Sequence, residues 1–345
     1  MLITGLTGLG GGLLFYKLKV PGGMMVGSIV AVAALSVLSG IAFMPWEAKL
    51  TAQCLAGAFL ACSVDCEDFK RLPHLLKPAL VLLSAVLCLN LLLGVLIWLC
   101  SPMDLLTSLM SAVPGGMSDT PIIAEDLGAD APKVAVMQFV RMSMGIGVFP
   151  SLIAVLTKKD PTPCSPIDFS SPDPQPGQKK SASDFLFTLA GAFLCGLLGK
   201  WIGIPAGALI CSMLGVITLK LLLGRAYLPI WAKRLAQALS GSYIGCSITR
   251  ADLLELRDLL LPAVILLAGY FLNSILTGHL LHRLFAFPLK TAMLAATPAG
   301  ASDMALISAD LGVESKELIA LQVIRMVVVV SVFPQIICLV ANAFG

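Results

Sequence analysis

Charge is what this sequence has least of. Asp, Glu, Lys and Arg make up 12% of its 345 residues, roughly half the ~25% of a soluble domain. A water-soluble fold of this length could not cover its surface with so few, which excludes a soluble enzyme and a soluble nucleic-acid binder. Histidine is scarce too, with three residues. His74 sits in a basic stretch, and His279 and His282 form an i, i+3 pair with no further ligand nearby in sequence, so no metal centre is expected. Cys62 and Cys66 beside Asp65 and Glu67 are a second weak candidate, a pattern the rest of the chain does not repeat. The chain has no C-x-x-C pair, phosphate-cradling Gly-rich loop, nucleophile motif or dinucleotide fingerprint. No catalytic residue and no cofactor are therefore expected, and ATP-driven transport by this chain alone is not.

Hydrophobic residues make up 58% of the chain, and the mean hydropathy is +0.94. Apolar stretches long enough to span a bilayer, about 18 residues or more, recur along the whole length. Cys54, Cys62, Cys88, Cys195, Cys211 and Cys338 lie inside such stretches, where cysteine acts as a small hydrophobe. Residues 1–20 lack a basic start and a small-residue cleavage pattern, and Lys17 and Lys19 follow the apolar run. They read as a first membrane segment, not a removed signal. The expected fold is an all-α, multi-pass membrane protein.

An internal repeat organises the chain. Pro114-Gly115-Gly116-Met117-Ser118-Asp119 recurs as Pro298-Ala299-Gly300-Ala301-Ser302-Asp303, an offset of 184 residues. The same offset aligns Asp126-Leu127-Gly128 with Asp310-Leu311-Gly312, Gln138 with Gln322, Arg141 with Arg325, and Phe149-Pro150 with Phe333-Pro334. Earlier matches keep the register: Pro21 with Pro205, Gln53 with Gln237, Gly57 with Gly241, and Cys62-Ser63 with Cys246-Ser247. The chain thus divides into a membrane repeat at 1–157, a Pro/Ser/Lys linker at 158–183 placed in the cytoplasm, and a second repeat at 184–345.

Each repeat reads as six apolar segments, near 2–16, 24–44, 49–64, 76–100, 104–127 and 132–157, and again near 184–200, 205–223, 233–249, 257–282, 288–311 and 316–343. The fifth of each is interrupted, by Pro114-Gly115-Gly116 and by Pro298-Ala299-Gly300. Broken backbone at membrane depth is tolerated only inside protein or beside a wet cavity. It could be a full span with an unwound centre or a re-entrant hairpin. Lys and Arg favour the cytoplasmic side of short loops. The hairpin reading places sixteen of the 23 Lys and Arg on that side and five outside, leaving Arg141 and Arg325 in the membrane. A full crossing largely removes this bias. The expected architecture is two inverted repeats, each of five spans plus one re-entrant broken helix, with both termini outside.

Inverted repeats with broken helices are a secondary-transporter pattern. At Gly115, Gly116 and Gly300, small residues permit close backbone approach. Ser118, Thr120 and Ser302 add hydroxyls, and the resuming helices offer free N–H groups to an anion. The competing reading is a plain turn with Asp119 as an N-cap. Arg141 follows Asp119 by 22 residues, as Arg325 follows Asp303, and Gln138 and Gln322 share the face of each Arg. Gln and Arg are expected to meet the Ser-Asp tip, the Arg either holding an anionic solute or serving as counter-ion to Asp119 and Asp303; the competing reading is a structural salt bridge that docks hairpin on helix. The third segments, with Gly57 and Gly241, look discontinuous, and their small residues serve either a path or helix packing. Asn90 and Asn273 lie in the fourth segments one residue out of register.

The paired motifs, Pro114-Gly-Gly-Met-Ser-Asp with Gln138-x-x-Arg141 and Pro298-Ala-Gly-Ala-Ser-Asp with Gln322-x-x-Arg325, resemble the AbrB-like membrane protein family over nearly the whole chain. Members carry labels such as "ammonia monooxygenase" and "regulator of aidB expression". The family is distantly similar to glutamate- and citrate-type symporters. The first label implies copper chemistry, for which three scattered histidines supply no cluster. Gly115 and Met117 are replaced by Ala299 and Ala301, so the two hairpins are not identical.

The reading is therefore an ion-coupled secondary transporter or exporter of the bacterial inner membrane, driven by H+ or Na+, not an enzyme. Substrate contacts are expected from Gly115, Gly116, Ser118, Gln138, Arg141, Gly300, Ser302, Gln322 and Arg325, and ion coupling from Asp119 and Asp303. The expected partners are a small polar or anionic solute, the coupling ion and the lipid bilayer. No nucleic acid is expected, and the chain is free to act alone or as a homodimer. The rival is a membrane regulator or sensor that binds a ligand without moving it.

Overall fold

The computed structural model describes residues 1–18, 20, 22–62, 66–117, 119–147, 149, 153, 182–203, 206–224, 226–250, 256–298 and 316–344. Among the described residues every regular element is a helix. The first half carries α1 (Leu2–Lys17), α2 (Gly23–Ser39), α3 (Trp46–Cys62), α4 (Cys66–Cys100), α5 (Leu105–Ser111), α6 (Thr120–Asp126) and α7 (Ala131–Gly147). The second carries α8 (Ala182–Ile202), α9 (Gly207–Leu223), α10 (Ile230–Ser247), and a 3-10 turn (Leu256–Leu259) leading into α11 (Leu260–Phe285). It continues with α12 (Leu289–Ala296), α13 (Lys316–Ser331) and α14 (Phe333–Phe344). Apart from residues 182 and 183, the linker lies outside the described residues, as do Ser118, Gly300, Ser302 and Asp303.

Among the described residues, four stretches are long and apolar enough to cross a membrane: Leu75–Cys100, Ser183–Ile202, Arg257–Phe285 and Ala320–Ala343. Leucines turn outward along them, and Leu92, Leu99, Leu272 and Leu276 are each more than half exposed. A water-soluble monomer does not expose apolar surface on that scale. All four tryptophans are exposed and stand near helix ends, Trp46 and Trp231 at starts and Trp98 and Trp201 near finishes. That is where the amphipathic indole meets a membrane–water boundary.

Positions 184 apart form matching elements. α2 and α9 start on Gly23 and Gly207 and end before left-handed glycines, Gly40 at φ 65° and Gly224 at φ 64°. The residues before them, Gly22 at φ 63° and Ala206 at φ 56°, are both left-handed. α3 and α10 are unbroken helices, so the interruption expected in the third segments is not there. Their small residues serve contact instead. A Cβ on Gly57 would come within 2.5 Å of Leu209 O on α9, and one on Gly241 within 2.6 Å of Met25 O on α2. Leu209 and Met25 are themselves 184 apart, so each half packs on the other through the same pair of positions.

α3 and α10 run antiparallel. Lys233, near the start of α10, lies over the Phe59 ring near the end of α3, at 4.4 Å. Lys49, near the start of α3, lies over the Tyr243 ring towards the end of α10, at 5.5 Å. The helices sort into two groups. α1–α3 pack with α8–α10, while α4, α5 and α7 pack with α11–α14.

The fifth segment of the first half is a helical hairpin. The Asp104 carboxylate caps α5 by accepting from Thr107 N at 2.9 Å. The chain breaks after Ser111, resumes as α6, and turns at left-handed Gly128, φ 86°. Asp130 N–H then donates to Thr107 Oγ1 at 3.0 Å, joining the segment's two ends.

Candidate functional site

A helix that stops in the protein interior leaves its last carbonyls without intrahelical donors. Pro114 cannot extend α5, and the backbone from residue 112 to 117 is irregular. Side chains from α7 and α11 satisfy the exposed carbonyls. Gln138 Nε2 donates to Val113 O at 3.0 Å, Ser111 O at 3.3 Å and Met110 O at 3.4 Å. Tyr270 Oη donates to Ala112 O at 2.5 Å, and Arg141 Nη2 to Gly115 O at 2.5 Å. The second break repeats the pattern. Gln322 Nε2 serves Leu294 O at 3.1 Å and Ala295 O at 3.2 Å, and Arg325 Nη1 serves Thr297 O at 2.6 Å.

One level out, Asn90 Nδ2 donates to Leu109 O and Ser274 Oγ to Met293 O, both at 3.0 Å. Donors and acceptors are each 184 apart. Asn90 therefore corresponds to Ser274, not to Asn273, which removes the one-residue slip seen in the sequence.

Gln138, Arg141, Gln322 and Arg325 are almost wholly buried. Arg141 and Arg325 interact electrostatically with each other and with Tyr270. No ion pair joins Arg141 to Asp119 among the described residues; the guanidinium goes to backbone and Tyr270, and its Nε has no hydrogen-bond partner. Asp119 precedes α6 without a side-chain capping bond. Its carboxylate rests against Gly116 and feels the charge of Lys233.

The groups converge on a cavity of about 440 Å³. Gly115, Gly116 and Asp119 line it from the first break, and Pro298 from the second. Arg141 comes from α7, Phe59 from α3, and Lys233, Arg234 and Gln237 from α10. Arg234 Nη2 donates to Tyr16 Oη at 2.6 Å on the rim. Three cations thus face one described carboxylate, in a volume typical of small-ligand sites, about 300–1,000 Å³.

The family model described as "Transition state regulatory protein AbrB" matches residues 24–341. The chain belongs to the AbrB family. It is 24% identical over 326 residues to the "Putative regulator AbrB" of Escherichia coli (strain K12), covering 93% of this chain and 91% of that protein. It is 25% identical over 273 residues to the "Uncharacterized protein YhjN" of Bacillus subtilis (strain 168), covering 77% of this chain and 71% of that protein.

Within this AbrB-family chain, the structure brings Gly115, Gly116, Asp119 and Arg141 to the cavity. Gln138, Gln322 and Arg325 sit behind it on the broken backbone. Sequence reasoning missed Tyr270, whose partner at offset 184 is Val86, so the repeat carried no signal for it. It counted Lys233 and Arg234, at the start of the segment near 233–249, only among the cytoplasmic-side charges. The offset pairs Lys49 with Lys233, and that match could have marked the position.

Proposed function

We propose that this AbrB-family protein is an inner-membrane secondary transporter for a small anionic metabolite. It would be built as two inverted repeats, each of five spans and a re-entrant broken helix. The antiparallel α3 and α10, the reciprocal Gly57 and Gly241 contacts and the hairpin closed by Asp130 and Thr107 support that architecture. The observation that carries the function is the cavity where both helix breaks meet, with Arg141, Lys233 and Arg234 against Asp119 as the one carboxylate among the described residues. A buried cation in a membrane, here Arg141, is costly unless a counter-charge joins it, and an anionic solute supplies one. Asp119 and its repeat partner Asp303 are the proposed ion-coupling groups. Ser118, Gly300 and Ser302 enter the binding site on the repeat alone. The group of α4, α5, α7 and α11–α14 would move against α1–α3 and α8–α10 to alternate access.

A thermal-shift screen of the purified protein against a panel of metabolite anions, with and without Na+, should identify a stabilising solute. That solute should then enter proteoliposomes carrying the wild type, and its flux should fall at least about tenfold in Arg141→Ala, the loss of about 1.4 kcal/mol or more. The name of the Escherichia coli relative favours a second reading, a membrane regulator. A ligand that binds and stabilises but shows no flux under any ion gradient would establish that reading and sink the transporter.

A further inference from the structure

A second cavity, of about 310 Å³, lies at the other end of the α3/α10 pair. Its lining repeats the first. Lys49, Gln53, Ala206 and Tyr243 line it, where Lys233, Gln237, Gly22 and Phe59 line the first, each pair 184 apart. Every described residue of the second cavity whose partner is itself described has that partner in the first. The sequences differ at several of these positions, so the match reflects placement and not only composition.

The barrier between the cavities is thin. On α3 the first cavity begins at Ala56 and the second ends at Gln53; on α10 the first ends at Ser240 and the second takes Tyr243. Three residues of helix rise about 4.5 Å. α6 bridges this waist. Asp119, just before it, lines the first cavity, and Asp126, its last residue, lines the second.

The two matching lysines are held differently. Lys49 Nζ pairs with Glu125 Oε2 at 2.5 Å and Asp126 Oδ1 at 2.6 Å, and Gln53 Nε2 donates to Asp126 Oδ2 at 2.5 Å. In the larger cavity the matching Lys233 lies over Phe59 and makes no such pair among the described residues. We infer that the second cavity is the opposite vestibule of one anion pathway, and that Lys49 with Glu125 and Asp126 ties α6 to α3 and holds it shut. This rests on the transporter reading. It adds a second solute site, whose cations Lys49 and Lys200 suit the same anionic class, and names its gate.

Reactivity of introduced cysteines tests this without knowing the solute. In a background whose native cysteines are replaced and whose melting temperature is unchanged, Met24→Cys reports on the first cavity and Ala208→Cys on the second. A small charged maleimide should label Met24→Cys faster than Ala208→Cys; equal rates overturn the inference. Adding Glu125→Gln with Asp126→Asn should raise the Ala208→Cys rate at least about tenfold, equivalent to about 1.4 kcal/mol. Lys49→Gln should act in the same direction and carries the test if the double variant does not fold. An unchanged Ala208→Cys rate in a folded gate variant overturns the gate. Solute flux with unchanged labelling refutes this inference and spares the transporter. Faster labelling without flux supports the gated vestibule and refutes transport.

Discussion

At the residue scale, broken backbone has to find hydrogen bonds, and glutamine supplies them. Gln138 spreads one amide over three carbonyls of the first break. Gln138→Leu leaves them without that donor, and each stranded polar group costs about 1–3 kcal/mol. The melting temperature of the detergent-purified protein should drop, and drop more than in Gln322→Leu, because Arg325 Nη1 also reaches Ala295 O, at 3.5 Å. Equal drops would show that the glutamines do not work through these carbonyls. Sequence revealed Gln138, Arg141, Gln322 and Arg325 because polar groups at membrane depth, duplicated at fixed spacing, stand out. It did not reveal that their described partners are carbonyls, because an acceptor on the main chain leaves no trace in residue identity. A left-handed alanine gives an independent prediction. Ala206 holds φ 56° where its counterpart is Gly22, a conformation that costs an L-residue about 1–2 kcal/mol. Ala206→Gly should therefore hold or raise the melting temperature, against the usual trend for glycine.

At the element scale, close helix approach explains which glycines tolerate change. Gly57 and Gly241 admit backbone from the other half of the chain, whereas a Cβ on Gly10 would meet nothing within 4 Å. Overpacking a close contact costs about 1–3 kcal/mol. Gly57→Val should lower the yield of monodisperse protein and its melting temperature, while Gly10→Ala should leave both unchanged. Helix placement was largely legible, since apolar runs set the segments and Pro114-Gly115-Gly116 the break. The continuity of α3 was not, because small residues at Gly57 and Cys62 read equally well as a kink or as a packing face. Only the partner helix decides between them.

At the scale of the whole molecule, charge and fold can be set against each other. Lys220 Nζ donates to Cys62 O, and Arg234 holds Tyr16, at the end where α3 stops. Lys49, Lys200 over Trp46, and Arg250 on Val37 O gather at the end where α3 starts. The hairpin reading of the charges assigns Lys220 and Arg234 to the cytoplasmic side and Lys49, Lys200 and Arg250 to the outer side, the same division. The pairing of ends was legible because the positive-inside bias acts on loops, which sequence shows directly. The two breaks were legible from the repeat, but the cationic α10 wall of the cavity they share shows only in the folded chain. The orientation can be tested with impermeant labels on intact cells. If the fifth segment returns to its own side, cysteines introduced at Lys70 and at Ser171 in the linker lie on the same, inner face, and neither labels until the cells are permeabilised. If it crosses fully, the two sites lie on opposite faces and one of them labels at once. In that case the second half would repeat the first without inversion, α3 and α10 could not be equivalent elements meeting head to tail, and the two cavities would lose the relation that makes them ends of one path.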